Sequence, residues 1–194
     1  MILSNKHKFI SIAIPKTGTS SIHKTFSDLD DESLLIVGKN KYQKGRANLS
    51  MYKHIKGIDL KKQIKNYDEY FKFAFIRNPW DRVVSWFKYY GYEMDTEWLS
   101  RSNLEDYPKF FWYNQSEWLF EGSSLIVNYI GRFENLQQDF DTICDKIGID
   151  QQPLPHKNAT NHKHYTEYYD DETREIVAEK YARDIEYFGY RFGE

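Results

Sequence analysis

Apolar positions along this chain fall into two alternating rhythms, short continuous runs and longer stretches with a helical repeat. Residues 9–14 (FISIAI) form a nearly unbroken apolar run closed by Pro15 and Gly18, the pattern of a central strand buried on both faces. Ile22 and Phe26 then recur at helical spacing. They predict a helix capped by Thr19 or Ser20 and running to about Leu29, where the acidic DLDDES stretch breaks the pattern. A second run, residues 71–76, precedes Asn78-Pro79, an N-cap followed by proline at the first helical position. Val83, Phe87 and Tyr90 mark one face of the helix that should follow. A third run spans residues 124–130, after which Leu136, Phe140, Ile143 and Ile147 repeat at helical spacing until Gly148. Residues 170–192 read as one final amphipathic helix with Val177, Tyr181, Ile185 and Phe188 inward. Residues 38–50 are polar and basic without either period and predict an exposed loop.

Strand followed by helix recurs three times, so the expected fold is α/β, a central and mostly parallel sheet flanked by helices in three layers. Its ligand crevice should lie at the carboxyl ends of the strands. The 194 residues, 40% of them apolar, suit one domain over residues 1–194 with one active site. A formal net charge of -2 gives no general basic field, so no nucleic-acid partner is expected and any anion has to be gripped locally. The single cysteine, Cys144, excludes an internal disulfide. The first apolar run is too short for a signal-peptide core and far short of the ~20 residues that span a bilayer. A cytoplasmic protein without a membrane anchor is therefore expected. The 13 Phe, 16 Tyr and 5 Trp offer flat surfaces to a core or to a ring-bearing ligand alike.

Candidate chemistry begins at residues 15–21 (PKTGTSS), which join the first strand to the first helix. Backbone amides at a helix start attract anions. Gly18 permits close approach or positive φ, Thr17, Thr19, Ser20 and Ser21 add hydroxyls, and Lys16 adds a mobile positive charge. A P-loop kinase or triphosphatase is the obvious rival, but its G-x-x-x-x-G-K-[ST] places the lysine after the second glycine. Here Lys16 precedes Gly18 and no aspartate closes a neighbouring apolar strand to hold magnesium. Further along, Arg77 follows the second strand and Ser85 lies about two turns into the next helix. A planar guanidinium fork suits a terminal phosphate, and the serine adds a donor.

Together, PKTGTSS and the R-N-P-x-x-R-x-x-S of residues 77–85 resemble the two signatures with which the sulfotransferase superfamily binds 3′-phosphoadenosine 5′-phosphosulfate (PAPS). IGRFENLQQDF (130–140) and the ending from LPHKNATNHKHYTEYYD to DIEYFGYRF are similar to the carbohydrate branch, which includes heparan and chondroitin sulfotransferases and small bacterial relatives. The resemblance implies a P-loop-like, PAPS-binding α/β core. In it Lys16, Thr17, Gly18, Thr19, Ser20 and Ser21 would hold the 5′-phosphosulfate, and Arg77 and Ser85 the 3′-phosphate. A basic loop before the last helix covers the nucleotide in that branch, which implies contacts from Lys157 and Asn158. Unlike the branch's Golgi enzymes, the sequence shows no amino-terminal membrane anchor and no paired cysteines. A saccharide or glycosylated small molecule is the expected hydroxyl-bearing acceptor, met by loops 38–50 and 91–117.

Sulfuryl transfer needs an in-line acceptor oxygen, a base for its proton and positive charge at the departing phosphate. The resemblance and its place in the loop assign Lys16 to the leaving group. For the base the choice is His54, because histidine titrates near neutrality. Its segment is similar to the H-x-x-x-x-D of uronyl 2-O-sulfotransferases, with Asp59 as the aspartate. His23 is the second choice. His156, His162 and His164 crowd together but lack the cysteine or H-E-x-x-H partners of a common zinc site, so no metal is expected. A nucleotide-binding protein with both phosphate grips but no working base is the remaining alternative.

Overall fold

The computed structural model describes residues 1–29, 31–36, 54–91, 93–94, 96, 99, 113–155 and 163–194. The chain divides into two units, Met1–Ile76 with Glu117–Asn158, and Arg77–Ser116 with Ala159–Glu194. In chain order the elements are β1 (Ile2–Ser4), β2 (Phe9–Ile12), α1 (Thr19–Ser27), β3 (Leu35–Ile36), α2 (Gly57–Gln63), β4 (Phe71–Ile76) and α3 (Pro79–Tyr90). There follow β5 (Phe120–Glu121), β6 (Ser124–Leu125), β7 (Tyr129–Arg132), α4 (Leu136–Ile147), α5 (Asp171–Lys180) and α6 (Ala182–Phe188).

The first unit is built on a five-stranded sheet in the order β3-β1-β2-β4-β7. β2, β4 and β7 pair in parallel, while β1 is antiparallel to both β2 and β3, so four of the five strands point one way. A mixed α/β fold with a mostly parallel sheet, as the periodicity predicts, is thus observed. Phe9, Phe73 and Phe75 share one buried cluster with Ile22 and Phe26 of α1 and with Phe140, Ile143 and Ile147 of α4. Side chains alternate along a strand, so Ile12 points to the face opposite Phe9. Gly57 of α2 lies against it there, since a Cβ at Gly57 would stand 3.0 Å from Ile12 Cδ1. Burying each of these large side chains contributes about 1.5–3 kcal/mol.

Three expectations need correction. β2 stops at Ile12; Ala13 and Ile14 lead to a turn that begins at Pro15. The third apolar run splits in two. Residues 124–125 pair with β5 in a two-stranded hairpin, and only Tyr129–Arg132 joins the sheet. Asn128 sets the break, because its main-chain N–H donates to Lys72 O at 2.7 Å and its side-chain oxygen accepts from Lys72 N at 2.8 Å. The last helix is also two helices, because Tyr181 leaves helical geometry at φ -113, ψ 22. Its ring is fully buried and lies 5.6 Å from the Arg82 guanidinium.

The second unit has its own core of Trp80, Val83, Val84, Trp86, Phe87, Leu99, Tyr165, Val177 and Tyr181. Asn78 caps α3 as expected, its Oδ1 accepting from Trp80 N at 3.1 Å. Tyr90, expected on the inner face, is 42% exposed. Trp80, Trp86 and Phe87 are core residues, between 1% and 5% exposed.

Candidate functional site

Between Ile12 and Thr19 the chain turns through two left-handed residues, Lys16 at φ 70 and Gly18 at φ 79. For an L-residue such as Lys16 that conformation costs roughly 1–2 kcal/mol, so something has to hold it. Two hydroxyls do: Thr17 Oγ1 and Thr19 Oγ1 each donate to Ile14 O at 3.0 Å. Those protons are turned into the loop, and to donate to a ligand either hydroxyl would have to leave that carbonyl. The helix cap is Gly18, with no side-chain cap bond, rather than Thr19 or Ser20. Ser21 N and Ile22 N bond to Gly18 O. The amides just before them have no carbonyl partner within the helix. No acidic residue lies in the first turn of α1, so its positive end is not neutralised from within. Beneath the loop, a Cβ on Gly18 would meet Leu136 Cδ2 at 2.9 Å and Phe133 at 3.3 Å, which fixes glycine there on packing as well as on φ.

His54 is half-buried and immediately precedes the segment leading into α2. Its Nδ1 lies 2.7 Å from Ala13 O, the residue that enters the loop. A carbonyl only accepts, so Nδ1 carries the hydrogen and the neutral ring's lone pair is on Nε2. Trp118 Nε1 donates to His54 O at 2.9 Å, fixing the backbone from the other side. Asp59 stands in the first turn of α2, 3.6 Å from Lys62 Nζ. His23 is buried at 2% exposure, with Nε2 3.4 Å from the Met1 amino group.

Arg77 and Ser85 belong to the second unit. Arg77 is 6% exposed, and its Nε and Nη2 each meet an Asp81 carboxylate oxygen at 2.8 Å. Ser85 lies within α3 at 9% exposure. Gln115 brackets the main chain of Arg77, with bonds of 2.9 and 2.8 Å. Neither Asp81 nor Gln115 was singled out from the sequence. Asp81 carries a readable signal, an acidic residue in the first turn of α3 four positions after Arg77; Gln115 carries none. Arg132 ends β7 opposite Ile76.

Lys157, Asn158, His156 and His162 lie outside the described residues, as do residues 38–50 and 100–112. His164 is exposed, with Nδ1 2.7 Å from Thr166 Oγ1. Among the described residues no cluster of three His, Cys, Asp or Glu could hold a metal ion, and no helix is long and apolar enough to cross a membrane. The parallel strands β4 and β7 are followed or closed by arginine, not by the aspartate of a magnesium-dependent triphosphatase.

Over 100 residues the chain is 29% identical to an uncharacterized protein of Archaeoglobus fulgidus, an overlap covering 45% of this chain and 76% of that one. No solved structure matches it significantly. The profile of the Sulfotransferase family, however, matches residues 1–191, both units included. By that match, which includes the lysine-bearing turn between β2 and α1, the chain belongs to the sulfotransferase family.

Proposed function

We propose that the protein transfers a sulfuryl group from PAPS to a hydroxyl of a saccharide or glycosylated small molecule by in-line displacement. The observation that carries this reading is the left-handed Lys16, strained next to an uncapped helix start in a member of the sulfotransferase family. Backbone strain of this kind clusters at ligand sites, and here it falls beside a helix start rather than in a hairpin turn such as that of Lys8. The donor set suits a phosphosulfate, with an ammonium, hydroxyls and helix amides, and no carboxylate in the first turn of α1.

PAPS supplies the activated sulfuryl group, with adenosine 3′,5′-bisphosphate as the departing product. Lys16 places its charge on the oxygen that gains charge as the bond breaks, with Thr17, Gly18, Thr19, Ser20 and Ser21 around the 5′ end. Arg77 and Ser85 take the 3′-phosphate, and Lys157 and Asn158 add contacts to the nucleotide. His54 Nε2 accepts the acceptor's hydroxyl proton, its ring held in that tautomer by the bond to Ala13 O.

Labelled PAPS offered with a panel of hydroxyl-bearing saccharides tests the reaction. His54→Ala should lower kcat by about 10²–10⁴-fold and leave bisphosphate affinity within about twofold. An undiminished kcat would remove His54 from the chemistry, and an unlabelled panel with bound PAPS would favour the idle nucleotide-binding alternative.

A further inference from the structure

We infer that Gln115 is a positioning residue for Arg77, a role that rests on the reading of Arg77 as the grip on the 3′-phosphate. Gln115 is fully buried. Its side-chain amide holds both main-chain groups of residue 77: Arg77 N donates to Oε1 at 2.9 Å, and Nε2 donates to Arg77 O at 2.8 Å. A neighbouring strand would ordinarily supply such a pair of bonds; here one side chain supplies both.

Gln115 is pinned in turn. Its own N–H donates to Asp184 Oδ2 at 2.5 Å, and Ser116 N donates to Asp184 Oδ1 at 2.9 Å. Asp184, on α6, is 0% exposed. A buried carboxylate thus fixes the segment whose amide fixes Arg77, while Asp81 orients the guanidinium through Nε and Nη2. Main chain and side chain of one arginine are each held by a separate partner. That is the preorganisation a fork needs to meet a phosphate without paying orientation entropy on binding.

The test titrates adenosine 3′,5′-bisphosphate and adenosine 5′-monophosphate into the full chain and its Arg77→Ala and Gln115→Met variants. The ratio of the two dissociation constants isolates the 3′-phosphate. Gln115→Met should cut that ratio about tenfold or more, towards the Arg77→Ala value, with monophosphate affinity held within about twofold. The double variant should lose no more than Arg77→Ala alone. A wild-type ratio in Gln115→Met beside a collapsed one in Arg77→Ala overturns the inference. If the wild type shows no preference for the bisphosphate, or Arg77→Ala keeps it, the cofactor reading fails and takes this inference with it. Should Gln115→Met not fold, Asp184→Asn, which keeps the shape but can accept only one of the two amides, has to lower the ratio; an unchanged ratio overturns the inference equally.

Discussion

Substituting glycine at Lys16 separates its backbone from its charge. Glycine adopts φ near 70 without steric cost, so Lys16→Gly should fold at least as stably as the parent, with a gain of up to about 1 kcal/mol. Lys16→Ala keeps the strain and shows no such gain. On the proposed leaving-group role of Lys16, both should lose turnover more completely than bisphosphate affinity. Denaturant midpoints beside single-turnover rates decide it; a Lys16→Gly protein clearly less stable than Lys16→Ala would contradict a strained lysine. At this scale the sequence disclosed residue types but not their directions. Lysine, threonines and glycine at 16–19 were legible as a turn between strand and helix. That Thr17 and Thr19 both donate to Ile14 O was not, because the choice depends on a backbone turn that a non-glycine residue helps to make. His54 was legible as a titrating side chain, whereas its bond to Ala13 joins segments 41 residues apart. Gln115 was invisible for the same reason, since its partners Arg77 and Asp184 are 38 and 69 residues away.

Among the elements, long periodic ones were read closely. β4 and α4 have the expected bounds, and α3 begins with the expected cap. β1 and β3 are three and two residues long and carry no period to read; only their pairing in the sheet makes them strands. Asp31 ties this corner together. It accepts from Ser4 Oγ on β1 and from Ser33 N and Oγ ahead of β3. Burial pushes its carboxyl up, but the Ser33 and Ser4 hydrogen bonds outweigh it and hold it below the ordinary 3.8. A depressed folded value contributes stability above the unfolded one, and that contribution is lost as pH falls below 3.8 through the folded value. Asp31→Asn should therefore be less stable than the parent at neutral pH, with the gap closing on acidification. Thermal unfolding from pH 6 downwards measures it, and a gap that stays constant would remove Asp31 from the acid limb. Asp184 acts with the opposite sign. Burial raises it despite its two main-chain amides, so its contribution falls as pH rises from 3.8 through the raised value.

For the whole molecule, strand-helix alternation identified the sheet, and the family match runs through both units. The division at Ile76 and Arg77 was not anticipated, because β4 runs on into α3 with only Arg77 and Asn78 between them and no linker composition marks the boundary. It leaves residues 15–21 in one unit and residues 77–85 in the other, each unit with its own core. The central claim is the proposed binding of a nucleotide that carries phosphates at both its 3′ and 5′ ends. Calorimetric titration of the full chain with adenosine 3′,5′-bisphosphate, beside ATP with magnesium, tests that claim most directly. The account predicts tight binding of the bisphosphate and none of ATP with magnesium, and the reverse result would contradict it.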